Sequence, residues 1–223
     1  MIRRLVLLVV AWGSTSFACA AEPNVPLNIE FPQEVLAGTP PDVLALLYPD
    51  LEMPKPDDQA QLLVPKGTTN VALHKPVSSS DDRPLLGELS FVTDGHKEGS
   101  ESAFVELAPG KQWVQIDLQK PCEIYAICVW HFFREARSYN DVVIQVADDA
   151  EFQQGVKTLY SNDQDNSLSL GLGKARPYIE TNLGKIIDAK GARARYVRLY
   201  SKGYTGNQTN HYVEVEVFGK PTP

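Results

Sequence analysis

Apolar residues recur at every second position in two stretches of this 223-residue chain: Val114, Ile116 and Leu118 within Gly110–Leu118, and Val213, Val215 and Val217 near the end of Arg195–Gly219. That is the period of a strand with one face buried and the other solvated. Related runs are EIYAICVWHFF (Glu123–Phe133), DVVIQVAD (Asp141–Asp148), IETN around Ile179, RYVRLYS from Arg195 and YVEVEVF from Tyr212. Short strands at turn-rich spacing predict an all-β fold, an antiparallel β-sandwich. Trp113 and Trp130 fall on strands, where a large apolar ring belongs in the core before it belongs on a ligand platform.

Between Ala21 and Lys66 the pattern stops. Nine of the 16 prolines fall there, including Pro40, Pro41, Pro54 and Pro56. Each fixes φ and removes a backbone donor, which excludes a long helix or a continuous sheet. Residues 21–66 therefore read as a proline-rich arm or linker, and 67–220 as the β-module. Within the arm, Val43–Tyr48 follows Asp42 and predicts a turn or two of helix able to dock on the sandwich; a docked arm and a spacer are both open.

Four blocks carry a resemblance: NVALHKPVSSSD (Asn70–Asp81), VTDG (Val92–Gly95), GKQWVQIDL (Gly110–Leu118) and RYVRLYSKGYTGNQTNHYVEVEVFG (Arg195–Gly219). In this order, over about Thr68 to Lys220, the chain resembles the discoidin or coagulation factor 5/8 type C family of galactose-binding-like domains. The resemblance implies a jelly-roll sandwich whose function rests on variable loops. It also implies a structural calcium ion, because the family's DG aspartate and the glutamate five residues before its closing glycine correspond here to Asp94 and Glu214. Calcium suits a mixed cage of carboxylate and carbonyl oxygens. After Asp94, however, this chain reads HKEGSESAFVEL where the family often carries Thr or Asn and then Trp, so Ser100 or Ser102 has to substitute. The plainer alternative is that Asp94 orders a turn and Glu214 is an exposed strand residue.

The first 20 residues have the order of a secretory leader: Arg3 and Arg4, an apolar run from Leu5 to Trp12, then small residues to Ala18-Cys19-Ala20. Cleavage after Ala20 predicts an exported protein, periplasmic or extracellular; Ser16 stands where a lipoprotein signal usually has Leu. No stretch approaches the roughly 20 apolar residues of a transmembrane helix. Cys122 and Cys128 flank one predicted strand, which holds them roughly 20 Å apart at about 3.3 Å per residue. A disulfide needs about 5.5 Å, so the two are not expected to pair. With 21 Lys and Arg against 28 Asp and Glu, the chain carries −7, and nucleic acid is an unfavourable partner.

Candidate ligand chemistry gathers where strands run out into loops. WHFFREARSYND brings His131, Arg134, Arg137 and Tyr139 together, and the turn before the last strand adds Tyr204, Asn210 and His211. Guanidinium and imidazole groups bond vicinal hydroxyls while a ring packs on a sugar's C–H face, so His131, Arg134, Arg137, Tyr139, Asn210 and His211 form the predicted carbohydrate site. A solvated loop in which Arg137 pairs with Asp141 is the alternative. Thr158–Tyr178 holds Asp163 and Asp165 but lacks the glycine and distal glutamate of an EF-hand, and Gly171-Leu172-Gly173 lacks a dinucleotide fingerprint. Asn207-Gln208-Thr209 is a glycosylation sequon if the source glycosylates. No HExxH, GxSxG or CxxC motif occurs. The expectation is a non-catalytic module for a cell-surface or extracellular glycan. A protein-interaction domain is the alternative, and a hydrolase with dispersed carboxylates a distant third.

Overall fold

The computed structural model of the chain describes residues 23–33, 40–52, 62–98 and 103–222; the expected leader with Cys19, as well as Pro54, Pro56, Ser100 and Ser102, lies outside them. Its frame is an antiparallel ribbon of two long strands, β6 (Lys111–Trp130) and β9 (Lys185–Lys202). The ribbon's register breaks between Asp117 and Cys122, where Gln119 adopts φ 66°, and again opposite Lys190 and Gly191, at φ 53° and 71°. These breaks divide it into two halves. One half carries β4 (Val77–Ser79) on β6, and β7 (Val143–Ala147) then β8 (Lys157–Ser161) beyond β9. The other half carries β11 (Glu214–Pro221) and then β3 (Thr69–Asn70) on β6. Strands that pass from one layer to the next in this way turn the corners of a sandwich.

The interior is filled from both layers. Val114, Ile116 and Leu118 of β6 meet Ile144 and Val146 of β7, Val197 and Leu199 of β9, and Val215 and Val217 of β11. The predicted alternation is thus the core-facing set for Val114, Ile116, Leu118, Val215 and Val217, whereas Val213, just before β11, packs with Trp130 and Phe104 instead. One feature escapes a simple period of two: Ile124 and Ile127 both enter this core, an odd spacing. Tyr125 is the additional residue on β6 opposite Phe218 and Gly219, and a bulge of this kind swaps the faces of every residue after it.

The swap sends Ala126, Cys128 and Trp130 to the outer face, where the arm covers them. Residues β1 (Asn24–Pro26) pair with β2 (Leu63–Pro65), and Leu27, Ile29 and Leu62 lie against Ala126, Cys128, Trp130 and Phe218. Both cysteines are buried and free. Beyond Pro41–Leu47, a single short helix (α1), the arm reaches the far layer through a parallel bridge between Glu52 and Tyr178. The segment around Ile179, read as a strand from sequence, forms no regular strand and holds only that bridge, at Tyr178. Conversely, the first half of β9 was not evident from its mixed polar sequence, Lys185–Ala194.

Candidate functional site

Where β6 ends at Trp130, the chain turns into the loop His131–Asn140, opposite the loop that joins β9 to β10 (Asn210–Tyr212). Short strand β5 (Val105–Leu107) pairs with β10 and closes this end of the sandwich. Asn210 is fully buried and uses its whole amide. Its Oδ1 accepts from Ser201 Oγ and the Gly203 N–H, both at 2.8 Å, while Nδ2 donates to the carbonyls of Ala108 (3.0 Å) and Gly110 (2.9 Å). It clips two loops together and offers nothing outward.

His131 and Tyr139 are buried as well. Their rings stack at 4.4 Å, and His131 Nδ1 lies 2.6 Å from Glu180 Oε1. Tyr139 Oη donates to His211 Nδ1 at 2.8 Å, which leaves the proton of a neutral His211 on Nε2, facing Glu106 Oε1 at 3.4 Å. Burial, with Arg137 and His131 nearby, pushes the His211 pKa down to about 3, so the contact with Glu106 is that of a neutral imidazole. Of the residues expected to contact a sugar, His131, Tyr139, Asn210 and His211 are thus buried beneath the loops. They form the packed floor under the loops, where the Asn210 amide, the Tyr139 hydroxyl and His131 Nδ1 all find partners inside and His131 Nε2 finds none.

Arg137 is buried as well, but it lines a cleft. Its guanidinium carbon sits 4.4 Å from the ring centre of Phe132 and 4.3 Å from that of Tyr204, with Nη2 on Glu135 Oε2. The pair with Asp141 offered as the alternative does not form; Asp141 faces Lys202 Nζ at 3.9 Å and Ser167. Arg134 is half-buried and, among the described residues, makes no hydrogen bond or ion pair. Around Arg137 opens a cleft of about 320 Å³ lined by Glu135, Arg137, Tyr204 and Thr205 on the loops and by Leu47 and Tyr48 on the arm. A second cleft of about 260 Å³ continues past Tyr48 to Asp50, Ser138 and Pro177. Phe132 and the arm residues were absent from the predicted site; the apolar run Val43–Tyr48 was the sequence signal that could have placed the arm there. A broader groove of about 550 Å³ lies elsewhere, between Lys157 and Lys190, without an aromatic ring.

At the implied ion site, Glu214 is fully buried, which overturns the exposed alternative. Oε2 accepts the Gly95 N–H at 3.2 Å, and Oε1 has no partner. Burial first, then Glu216 and Asp94, raise its pKa to about 9. Lys97 is spent on Glu216 at 2.8 Å and over the Trp130 ring at 5.0 Å. Asp94 accepts from the His96 N–H at 2.8 Å, an ordered turn. An orphaned, buried oxygen on a carboxylate whose pKa is raised by burial and by neighbouring carboxylates fits a bound cation. A separate acidic group, Asp141, Asp163 and Asp165, has its carboxylates within 4.8 Å of one another; all three accept hydrogen bonds from Ser167, and Asp163 also from the Leu168 N–H, as the brace of a loop.

No family model matches the chain, and no curated protein matches it. Solved structures do resemble it. A family 89 glycoside hydrolase from Clostridium perfringens superposes with a TM-score of 0.51 at 16% identity, over 68% of this chain and 15% of that one. A variant of chitosan-binding module 1 from a Paenibacillus chitosanase/glucanase gives a TM-score of 0.50 at 20% identity, over 68% of this chain and 99% of the module. The family 32 carbohydrate-binding module of Clostridium perfringens NanJ, solved with galactose, gives 0.48 at 11% identity, over 68% and 97%. Among the described residues no helix is long and apolar enough to cross a membrane. The chain has the galactose-binding-like, discoidin-type β-sandwich fold that its four ordered sequence blocks imply.

Proposed function

We propose that this chain is an exported, non-catalytic carbohydrate-binding module that holds a cell-surface or extracellular glycan in the cleft around Arg137. The observation that carries the reading is the Arg137 guanidinium packed on the Phe132 and Tyr204 rings at the wall of a concave site. A planar donor fixed by two rings is preorganised for adjacent hydroxyls, and the half-buried Tyr204 ring offers a face for sugar C–H groups. The Tyr139–His211–Glu106 chain would suit proton transfer, but Tyr139 and His211 are buried and so placed to support the loops. On a glycan array, the wild type binds at least one glycan, and Tyr204→Ala and Arg137→Ala each weaken that binding about tenfold while the fold is retained. A folded wild type that binds no glycan refutes the reading.

A second reading, a protein-interaction domain, draws on the apolar side chains of α1, where Leu46 is 82% and Leu47 69% exposed. It predicts a partner that is lost on Leu46→Asp and no glycan at all. Calcium belongs to the proposal with Asp94 and Glu214 as its carboxylates, where it would supply the positive charge that Glu214 Oε1 lacks. Calcium is expected to raise the thermal midpoint of the wild type and to leave that of Glu214→Gln unmoved.

A further inference from the structure

The two loop-end clefts share Leu47, Tyr48 and Thr205 in their linings. They are two halves of one groove that the arm crosses, with sandwich loops on one side and the arm on the other. The arm is fixed where it crosses. The Glu52 N–H donates to Pro177 O at 2.8 Å and the Ile179 N–H to Glu52 O at 3.1 Å. Lys185 Nζ reaches Glu52 Oε2 at 3.2 Å, and the Arg176 guanidinium donates to the Asp50 and Pro49 carbonyls at 3.0 and 3.3 Å. Upstream, Asn182 Nδ2 holds Pro32 O at 3.0 Å. Leu44 is the buried anchor of α1, whereas Tyr48 stays 43% exposed at the groove. The groove floor is polar: Arg137 Nε and Ser138 Oγ are buried without a hydrogen-bond partner.

We infer that the proline-rich arm is a wall of the carbohydrate site and that Tyr48, with Leu47, determines its specificity. This rests on the carbohydrate-binding reading above. Tyr48, Tyr204 and Arg137 line the same cleft. A hydroxylated ring with one apolar face matches that surround: the C–H face meets Tyr48 and Leu47, and the hydroxyls meet Arg137 and Glu135. Each half-groove, at about 320 and about 260 Å³, is close to the lower limit of about 300 Å³ for ligand clefts. The groove accordingly takes one sugar unit on each side of Tyr48, and the arm decides which substituents pass between them.

The test uses the full chain, a glycan array of neutral, amino and acidic oligosaccharides as the probe, and calorimetry with the best glycan found. Tyr48→Ala is expected to weaken binding about fivefold or more and to change the ranking of glycans, with Tyr48→Phe close to the wild type. Circular dichroism and the thermal midpoint establish that the variants are folded, and protection of the Glu52 and Ile179 amides from hydrogen exchange establishes that the arm remains in place. If the wild type binds and Tyr48→Ala and Leu47→Ala bind the same glycans equally well, the arm is not a wall and the inference fails while the reading stands. Tighter binding by Tyr48→Ala also overturns it, because the arm would then be covering the site. A folded wild type that binds nothing overturns both.

Discussion

Asn210 shows how a residue that looks like a ligand in sequence can belong to the scaffold. Four hydrogen bonds end on its amide, and all four partners lie in the chain segments that frame the loop end. Asn210→Ala removes the amide and takes a partner from the Gly203 N–H and from two carbonyls, while Ser201 Oγ keeps Tyr212 Oη at 3.0 Å. At about 1–3 kcal/mol for each buried group left unpaired, with partial repacking, the expected loss is about 3 kcal/mol or more, read as a lower urea midpoint with an unchanged m-value. A ligand role would instead leave stability intact and abolish glycan binding alone. The sequence placed His131, Arg137, Tyr139, Asn210 and His211 at one end of the sandwich, because the first three follow a strand end and the last two lie in the turn before the final strand, where short β10 forms. It could not tell inward from outward, since a loop has no alternation to read and Glu180, the partner of His131, is distant in sequence. Arg137 became legible only with Phe132 and Tyr204 on either side of it.

The strands were legible to the extent that their faces alternate. Val114, Ile116 and Leu118, and Val215 and Val217, were read from period alone because a half-buried strand repeats every two residues. The bulge at Tyr125 was not, since an apolar run such as Ala126–Trp130 is compatible with either phase and only the arm explains why both faces are covered. The partner of the bulge gives a sharp prediction. A Cβ on Gly219 would stand 2.6 Å from the Glu123 carbonyl oxygen, well inside van der Waals contact and against backbone that cannot swing away. Gly219→Ala is therefore expected to cost about 1–3 kcal/mol by overpacking, seen as a lower thermal midpoint, although alanine normally favours a strand over glycine. A variant as stable as the wild type would mean that the β6–β11 pairing relaxes there without penalty. The proline content announced an irregular arm but was silent on where its short pieces dock, because docking is set by Glu52, Asp50 and Pro49 meeting Lys185 and Arg176 across the fold.

For the whole molecule, two buried groups on different elements shape stability in opposite directions. His211 has its pKa lowered from 6.5 to about 3 by burial first, and then by Arg137 and His131. Between those values the unfolded chain holds a proton that the folded chain does not, so acidification below pH 6.5 favours unfolding until about pH 3. Glu214 has its pKa raised from 4.5 to about 9, again by burial first, with Glu216 and Asp94 adding repulsion against the opposing Gly95 N–H and Lys97. There the folded chain holds the additional proton, and stability present below pH 4.5 is lost as pH rises towards about 9. Between pH 4.5 and 6.5 the two slopes oppose each other; outside that window each acts alone. In chelator the urea midpoint should therefore be highest near that window and fall on both sides. The proposed calcium ion would change only the alkaline side, because a cation held by Asp94 and Glu214 would replace the proton on the buried carboxylate and remove its penalty. With calcium the midpoint at pH 8 should rise to or above its value at pH 5.5, and Glu214→Gln in chelator should flatten the same limb without any metal. If the wild type in chelator is equally stable at pH 5.5 and pH 8, the buried Glu214 carboxylate is already compensated within the chain and has no need of an ion.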